Sequence, residues 1–372
     1  MTKVKVPFNY LQFQFKNNAE IFKDWKKLIK TTDFTLGHKV LEFENKFSKY
    51  IGAKYCISTN NGTDALILSL KALGIKKGDE VITVCNSFYA TTGAIVACGA
   101  IPVFVDCDDR YQIDINLIEE KINTKTKAIL PVHWGGASPD MYKIKKLAKK
   151  FKLKILEDAC MGIGAKIKNK SPGTFGDIGA YSMHPLKSLN VMGDGGMIVT
   201  NNKKLADWIK CYRNHGMINR DNNKIWGVNA RLQPLQAVVA INQLKNLDRI
   251  IKIRNKNAKI LDEGLKKLKK YIIVPERVKN FTETFALYMC LFKKRDKLKF
   301  FLEKNGVEVK IHYPKPLHLQ EASRIYGYKK NSFLKAEKQC KYLLTLPVHQ
   351  YLSKKQLMLM VKLIKQFYNE NK

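Results

Sequence analysis

Between about residues 50 and 200, short apolar runs alternate with longer stretches whose apolar residues recur at helical spacing, and no other feature of the chain constrains its fold as strongly. Apolar runs too short for helices, each followed by an amphipathic segment, read as parallel strands joined by crossover helices. The pattern predicts strands at 55–59, 80–84, 101–105, 126–132, 153–156, 179–182 and 196–200. Helices are predicted between them at 63–73, 89–98, 115–122 and 139–151. Farther on, one long helical pattern covers about 234–268. Strands at 284–292 and 307–312 and helices at 297–304, 332–341 and 354–368 follow it. The expected architecture is α/β, a large domain (1–245) with a mostly parallel sheet flanked by helices, plus a smaller C-terminal α+β domain (246–372).

Composition narrows the function classes. Of 372 residues 45% are apolar, which allows a sizeable core and places the chain outside the disordered regime. The longest apolar stretch, Ala94 to Val105, is too short to span a bilayer and carries Gly99 and Pro102. The opening MTKVKVPFNY lacks the apolar core of a secretory signal, and the eight cysteines contain no CxxC, so a cytoplasmic protein with reduced thiols is expected. The seven histidines show no paired ligand spacing, and no metal is expected. The formal charge of +35 raises the question of nucleic acid. Only nine of the 67 basic residues are arginine, the residue that reads base edges, which leaves 58 lysines. These fall largely on wet helix faces, as in residues 142–151, where Ile144, Leu147, Ala148 and Phe151 form the dry stripe. A solvated lysine surface is expected, with no nucleic-acid or membrane partner.

Ligands of open α/β sheets sit beyond the carboxyl ends of the strands. Three segments there carry chemistry. Asn60-Asn61-Gly62-Thr63-Asp64 lies between a strand and a helix, where glycine lets the backbone approach an anion and free N–H groups can hold a phosphate; a plain helix cap is the alternative. Asp158 closes an apolar strand and can pair with a cationic ring nitrogen, or cap a helix. The segment from Gly176 to Lys187, followed by Gly193-Asp194-Gly195-Gly196, sets one lysine in an apolar, glycine-rich turn. Desolvation lowers an amine's pKa and makes it a nucleophile or proton carrier. Phosphate cradle, aspartate and lysine together suit pyridoxal 5'-phosphate: the lysine forms a Schiff base, the aspartate keeps the ring nitrogen protonated, and the cradle anchors the phosphate.

The segments NNGTDALILSLKALGIKKGDEVI, EDACMGIGA, GTFGDIGAYSMHPLKSLNVMGDGGMIVTN, YRNHG, RLQPLQA and VKIHYPKPLHLQ resemble successive blocks of the DegT/DnrJ-type sugar aminotransferases, pyridoxal-phosphate enzymes of the aspartate aminotransferase-like fold type I. The resemblance covers essentially the whole chain. It implies that Lys187 holds the cofactor, Asp158 partners its pyridinium, Gly62, Thr63 and Ser182 bind its phosphate, and Phe88 stacks on its ring. Asn229 would reach the phosphate of the neighbouring subunit, which implies a homodimer with shared active sites. The family usually has Gln at the place of Met161, facing the cofactor's phenolic oxygen; a thioether is a weak acceptor and cannot donate. Relatives that dehydrate sugars replace the lysine by histidine, so Lys187 marks a transaminase.

The implied reaction carries an amino group from an amino acid, L-glutamate, to a keto group of a nucleotide-linked deoxysugar, for surface-glycan or related biosynthesis. His312, Tyr313 and His318 are candidates for the sugar or nucleotide side, and His133, His184 and His215 lie in family blocks near the expected mouth. A smaller phosphorylated ketone or keto acid sugar is an alternative acceptor. A non-catalytic regulatory or polyanion-binding protein is the alternative from another class.

Overall fold

The computed structural model describes residues 3–370. Seven strands build its central sheet: β1 (Tyr55–Thr59), β2 (Glu80–Val84), β3 (Ile101–Val105), β4 (Thr126–Leu130), β5 (Lys154–Asp158), β7 (Ile178–Ser182) and β8 (Gly196–Thr200). A two-residue strand, β6 (Lys166–Ile167), follows β5 outside this sheet. The strand order is β1-β8-β7-β5-β4-β2-β3. The run from β7 to β3 is parallel, whereas β8 lies antiparallel to both its neighbours. Continuous apolar runs suit this setting, because a parallel sheet is covered on both faces; Ile57, Val81, Ile82, Ile129, Leu156 and Ile198 are fully buried.

The helices sort by face. α1 (Leu11–Gln14), α2 (Ala19–Thr31) and α3 (His38–Ile51) precede the sheet. Phe43, Phe47, Val199, Val239 and their neighbours form the core on that side, where α2 and α3 also meet α8 (Pro234–Leu244). The opposite core takes Leu66, Ile95, Ile144 and Ile209 from α4 (Gly62–Ala72), α5 (Tyr89–Ala97), α6 (Met141–Lys150) and α7 (Lys203–Tyr212). A further core gathers residues of α9 (Leu247–Leu265), α10 (Arg295–Lys304) and α12 (Lys354–Glu370) around a three-stranded antiparallel sheet of β12 (Leu343–Leu346), β11 (Tyr288–Phe292) and β9 (Ile272–Ile273). Val6 packs into this last core. The pair β6 and β10 (Phe281–Thr282) and the helix α11 (Leu334–Tyr342) complete the described elements used below. Among the described residues no helix is long and apolar enough to cross a membrane.

Three expectations are corrected. The helix predicted at 115–122 is two 3₁₀ turns, Ile115–Leu117 and Glu119–Lys121. Asp114 caps the first, and the three-residue repeat of a 3₁₀ turn brings Ile118 onto the core. The long helix at 234–268 breaks between α8 and α9 at Lys245-Asn246: α8 is buried on nearly every side between helices and sheet, while α9 turns away to serve the C-terminal core. Residues 307–312 make only isolated pairings, Val307 with Val6 and Lys310 with Thr345, because the N-terminal segment takes one edge and β12 the other.

One buried ionic knot ties β1 to its surroundings. Glu44 of α3 accepts from the Ser58 amide (2.8 Å) and hydroxyl (2.9 Å), and Arg213 reaches both Glu44 and the Ser58 carbonyl. Both charged side chains are only 6% exposed. Removing one partner strands the other charge, at a typical cost of about 3–5 kcal/mol. Arg213→Met is therefore expected to lower stability by about that amount in urea unfolding; a change below about 1 kcal/mol would show that the knot is unimportant.

Candidate active site

The carboxyl ends of β1, β5 and β7 face one cleft of about 640 Å³. At its floor Asn61 caps α4, its side chain accepting from the Asp64 amide (2.8 Å). The amides of Gly62 and Thr63 carry no hydrogen bond among the described residues, so they stay available at the positive end of the helix. Close packing demands the glycine. A Cβ on Gly62 would stand 2.7 Å from the Ser182 Cβ, and one on Gly196 would stand 2.1 Å from the Asn61 carbonyl oxygen. Ser182, at the end of β7, sets its hydroxyl beside this cradle.

Asp158 ends β5 and is 5% exposed. Its carboxylate accepts from the Thr91 hydroxyl (2.7 Å) and the Cys160 amide (3.2 Å), which aim it along the cleft wall. Lys187 lies in the turn between β7 and β8, closed by Val191 N donating to Met183 O (3.0 Å) and Met183 N to Gly195 O (2.7 Å). The stem keeps some exposure toward the cleft it lines, but the amine is enclosed. Burial lowers its pKa, and the nearby Cys160 and Asp158 offset this only in part. A lowered pKa makes the amine a readier proton carrier than an ordinary lysine.

The upper wall is aromatic. Phe88 and Tyr89 stand 6.1 and 5.5 Å from the Tyr313 ring, and Trp134 stands 5.7 Å from it. Met161 lines the cleft as well, with its carbonyl held by the Thr284 hydroxyl. His312 is in the same wall, bonded through Nδ1 to the Thr345 hydroxyl (2.9 Å). Burial, then the charges of Lys187 and Lys310, lower its pKa to about 4, so the ring is neutral at physiological pH.

Some expected residues stand elsewhere. His318 is 1% exposed and outside the cleft, packed edge-on against Phe333 (4.8 Å) with Nε2 3.1 Å from Glu337, because the short turn 317–319 points it inward. His133 is wholly buried between Ser138 and Glu157 and holds the sheet together instead of facing substrate. Asn229 lies on an exposed loop, its amide oxygen accepting from Arg231 (2.9 Å), and does not reach this chain's own cleft. Conversely, the cleft holds groups that sequence reasoning missed. Tyr10 donates to the Lys187 carbonyl (3.2 Å) and accepts from Arg254 (2.9 Å). Arg254, 2% exposed, has no carboxylate partner among the described residues; its other partners are Gln350 and the Phe285 carbonyl. α9 carries both Arg249 and Arg254, and nothing in the sequence marks the second as the one that reaches the cleft.

Sheet order and site together place the protein among the pyridoxal-phosphate-dependent aminotransferases. The chain belongs to the DegT/DnrJ/EryC1/StrS aminotransferase family, whose model matches residues 16–365. It is 37% identical to a pleiotropic regulatory protein of Geobacillus stearothermophilus, covering 98% of this chain and 99% of that one. It is 35% identical to dTDP-3-amino-3,6-dideoxy-alpha-D-galactopyranose transaminase of Aneurinibacillus thermoaerophilus, covering 97% and 99%. Its fold matches the crystal structure of S. venezuelae DesV in complex with a ketimine intermediate, with a TM-score of 0.95 and 31% identity over 98% of this chain and 99% of that one. The residues present fit the family's cofactor: the unbonded amides of Gly62 and Thr63 and the Ser182 hydroxyl line the cleft as a phosphate cradle, Asp158 faces the cleft, and Lys187 supplies an enclosed amine.

Histidine burial makes stability pH-dependent. His312 and His349 titrate near 4 in the fold against 6.5 ordinarily, in both cases first through burial. Between those values the unfolded chain binds more protons, so stability is lost as pH falls through this window. Melting temperature is expected to decline from pH 7 to 5, with a shallower decline in His349→Gln; identical slopes would remove His349 from the cause.

Proposed function

We propose that the protein transfers an amino group from an amino acid, L-glutamate, to the keto group of a nucleotide-linked deoxysugar. The observation that carries this reading is the enclosed, pKa-lowered Lys187 amine beside Asp158, in a cleft with an unpaired arginine. When bound, the cofactor supplies an electron sink for charge developing on the substrate carbon. Asp158 would accept a hydrogen bond from the ring nitrogen, the amides of Gly62 and Thr63 with the Ser182 hydroxyl would hold the phosphate, and Phe88 would cover a ring face. Lys187 then takes a proton from the substrate carbon and returns it one position away, in both halves of the reaction. Met161 gives weak contact where Gln is usual.

Arg254 supports an anionic substrate, since a buried cation among neutral partners is best relieved by a negative group in the cleft. The neutral His312 and the Tyr313 hydroxyl offer hydrogen bonds to sugar. The A. thermoaerophilus relative's name favours amination at the 3-position. A homodimer completes the site: the loop carrying Asn229 exposes Ile218, Trp226 and Val228, a surface suited to a second copy whose Asn229 would reach the phosphate. Eight free cysteines accord with a cytoplasmic location, and surface-glycan or related biosynthesis is the setting we favour.

An assay of the loaded enzyme with L-glutamate across nucleotide-linked 3-keto and 4-keto sugars and short keto phosphates tests the reading. Nucleotide sugars are expected to turn over best, and Lys187→Ala to lose at least about 10³-fold in kcat. The +35 charge should also make kcat/KM fall as ionic strength rises, through weakened steering of a dianion. Preference for short keto phosphates, or near-normal turnover by Lys187→Ala, would contradict the proposal.

A further inference from the structure

Two cysteines remote in sequence meet at the ends of β2 and β3, where Asp106 accepts from the first amides of α11. Cys85 follows β2, Asp106 and Cys107 follow β3, and Cys340 sits in α11. One ligand atom from each of Cys85, Asp106 and Cys107 lies within 4.8 Å of the other two. Cys340 lies outside that group. Cys85 and Cys107 are fully buried and Cys340 is 2% exposed. The reaction described above uses none of them.

We propose that Cys85, Cys107 and Asp106 form a three-ligand site for a divalent cation of the zinc class, the fourth coordination position being taken by a small ligand. Thiolates select zinc-like ions over calcium or magnesium, which need six or more oxygens. A tetrahedral zinc site has metal–sulfur distances of about 2.3 Å, so its ligand atoms stand about 3.8 Å apart; the observed spacing needs only small inward shifts. Asp106 has room for the ion. Oδ1 accepts from the Cys107 and Ala336 amides (both 2.8 Å) and from the Cys85 thiol (3.9 Å), whereas Oδ2 accepts only from the Lys335 amide (3.0 Å) and so keeps a lone-pair position for the ion. As each metal–sulfur bond forms, the thiol proton leaves to solvent.

The ion would tie the ends of β2 and β3 to each other, beside the α11 amides that Asp106 already holds. It would also stiffen two segments that border the cleft, because Cys85 leads into Asn86-Ser87-Phe88 and its carbonyl accepts from the Leu317 amide (2.8 Å). The site lies outside the transaminase machinery, so its failure would leave that reading intact.

The test uses the whole protein, stripped with a chelator and titrated with Co²⁺ as the probe. We expect one ion per chain, the ligand-field absorption of tetrahedral cobalt thiolate, displacement by Zn²⁺ and a raised melting temperature. Cys85→Ser and Cys107→Ser should each abolish the band, while Cys211→Ser, outside the cluster, should keep it. Circular dichroism checks that the variants fold; if either does not, the wild-type stoichiometry and band decide. No band in the wild type, a band surviving both substitutions, or a Cys85–Cys107 disulfide found in the unreduced protein by mass spectrometry would overturn the proposal.

Discussion

The enclosure of one amine organises this molecule. Fifty-eight lysines give the chain its charge, and most find water. Lys187 is held where burial disfavours its charged form, and the two nearby groups that favour it, Cys160 and Asp158, do not restore the ordinary value. Such a position is costly unless the surroundings are rigid. The rigidity has identifiable sources. The turn carrying Lys187 closes on Met183 and Gly195, its carbonyl is gripped by Tyr10, and Tyr10 is in turn held by Arg254. N-terminal segment, large sheet and α9 thus converge on one backbone position.

The sheet supplies the rest of the geometry. Because β5 and β7 are parallel neighbours, Asp158 and Ser182 emerge at the same edge. β1 delivers the Asn61 cap to that edge from the far side of β8, and β8 lets it approach only because Gly196 lacks a side chain. The Glu44–Arg213–Ser58 knot fixes β1 from behind. The buried Glu157 does the same for the segment before β7, accepting from the amides of Gly173, Phe175 and Gly176. These buried charges sit one shell behind the cleft and steady the backbone that carries its chemistry.

The apolar runs were legible as strands because a doubly covered sheet demands them, and the settings of Asp158 and Lys187 were legible because each breaks an apolar context. Residues 115–122 looked helical, since periodicity over eight residues does not separate an α-helix from two 3₁₀ turns. Residues 307–312 are extended but serve two different partners, and pairing cannot be read from a single segment. Tyr10, Arg254 and His349 were invisible because each acts through residues far away in sequence. His318 shows the complementary limit: belonging to the same block as His312 says nothing about which way the side chain turns. Cys85 and Cys107 carry no motif spacing, and only the topology brings them together.

The central claim is that this chain takes an amino group and holds it until an acceptor arrives. Single-turnover mixing of the loaded enzyme with L-glutamate, in the absence of any sugar, tests that claim most directly. A burst of one 2-oxoglutarate per active chain is expected, which then stops and restarts only when a keto sugar is added. Release that never begins, or that continues without an acceptor, would contradict it.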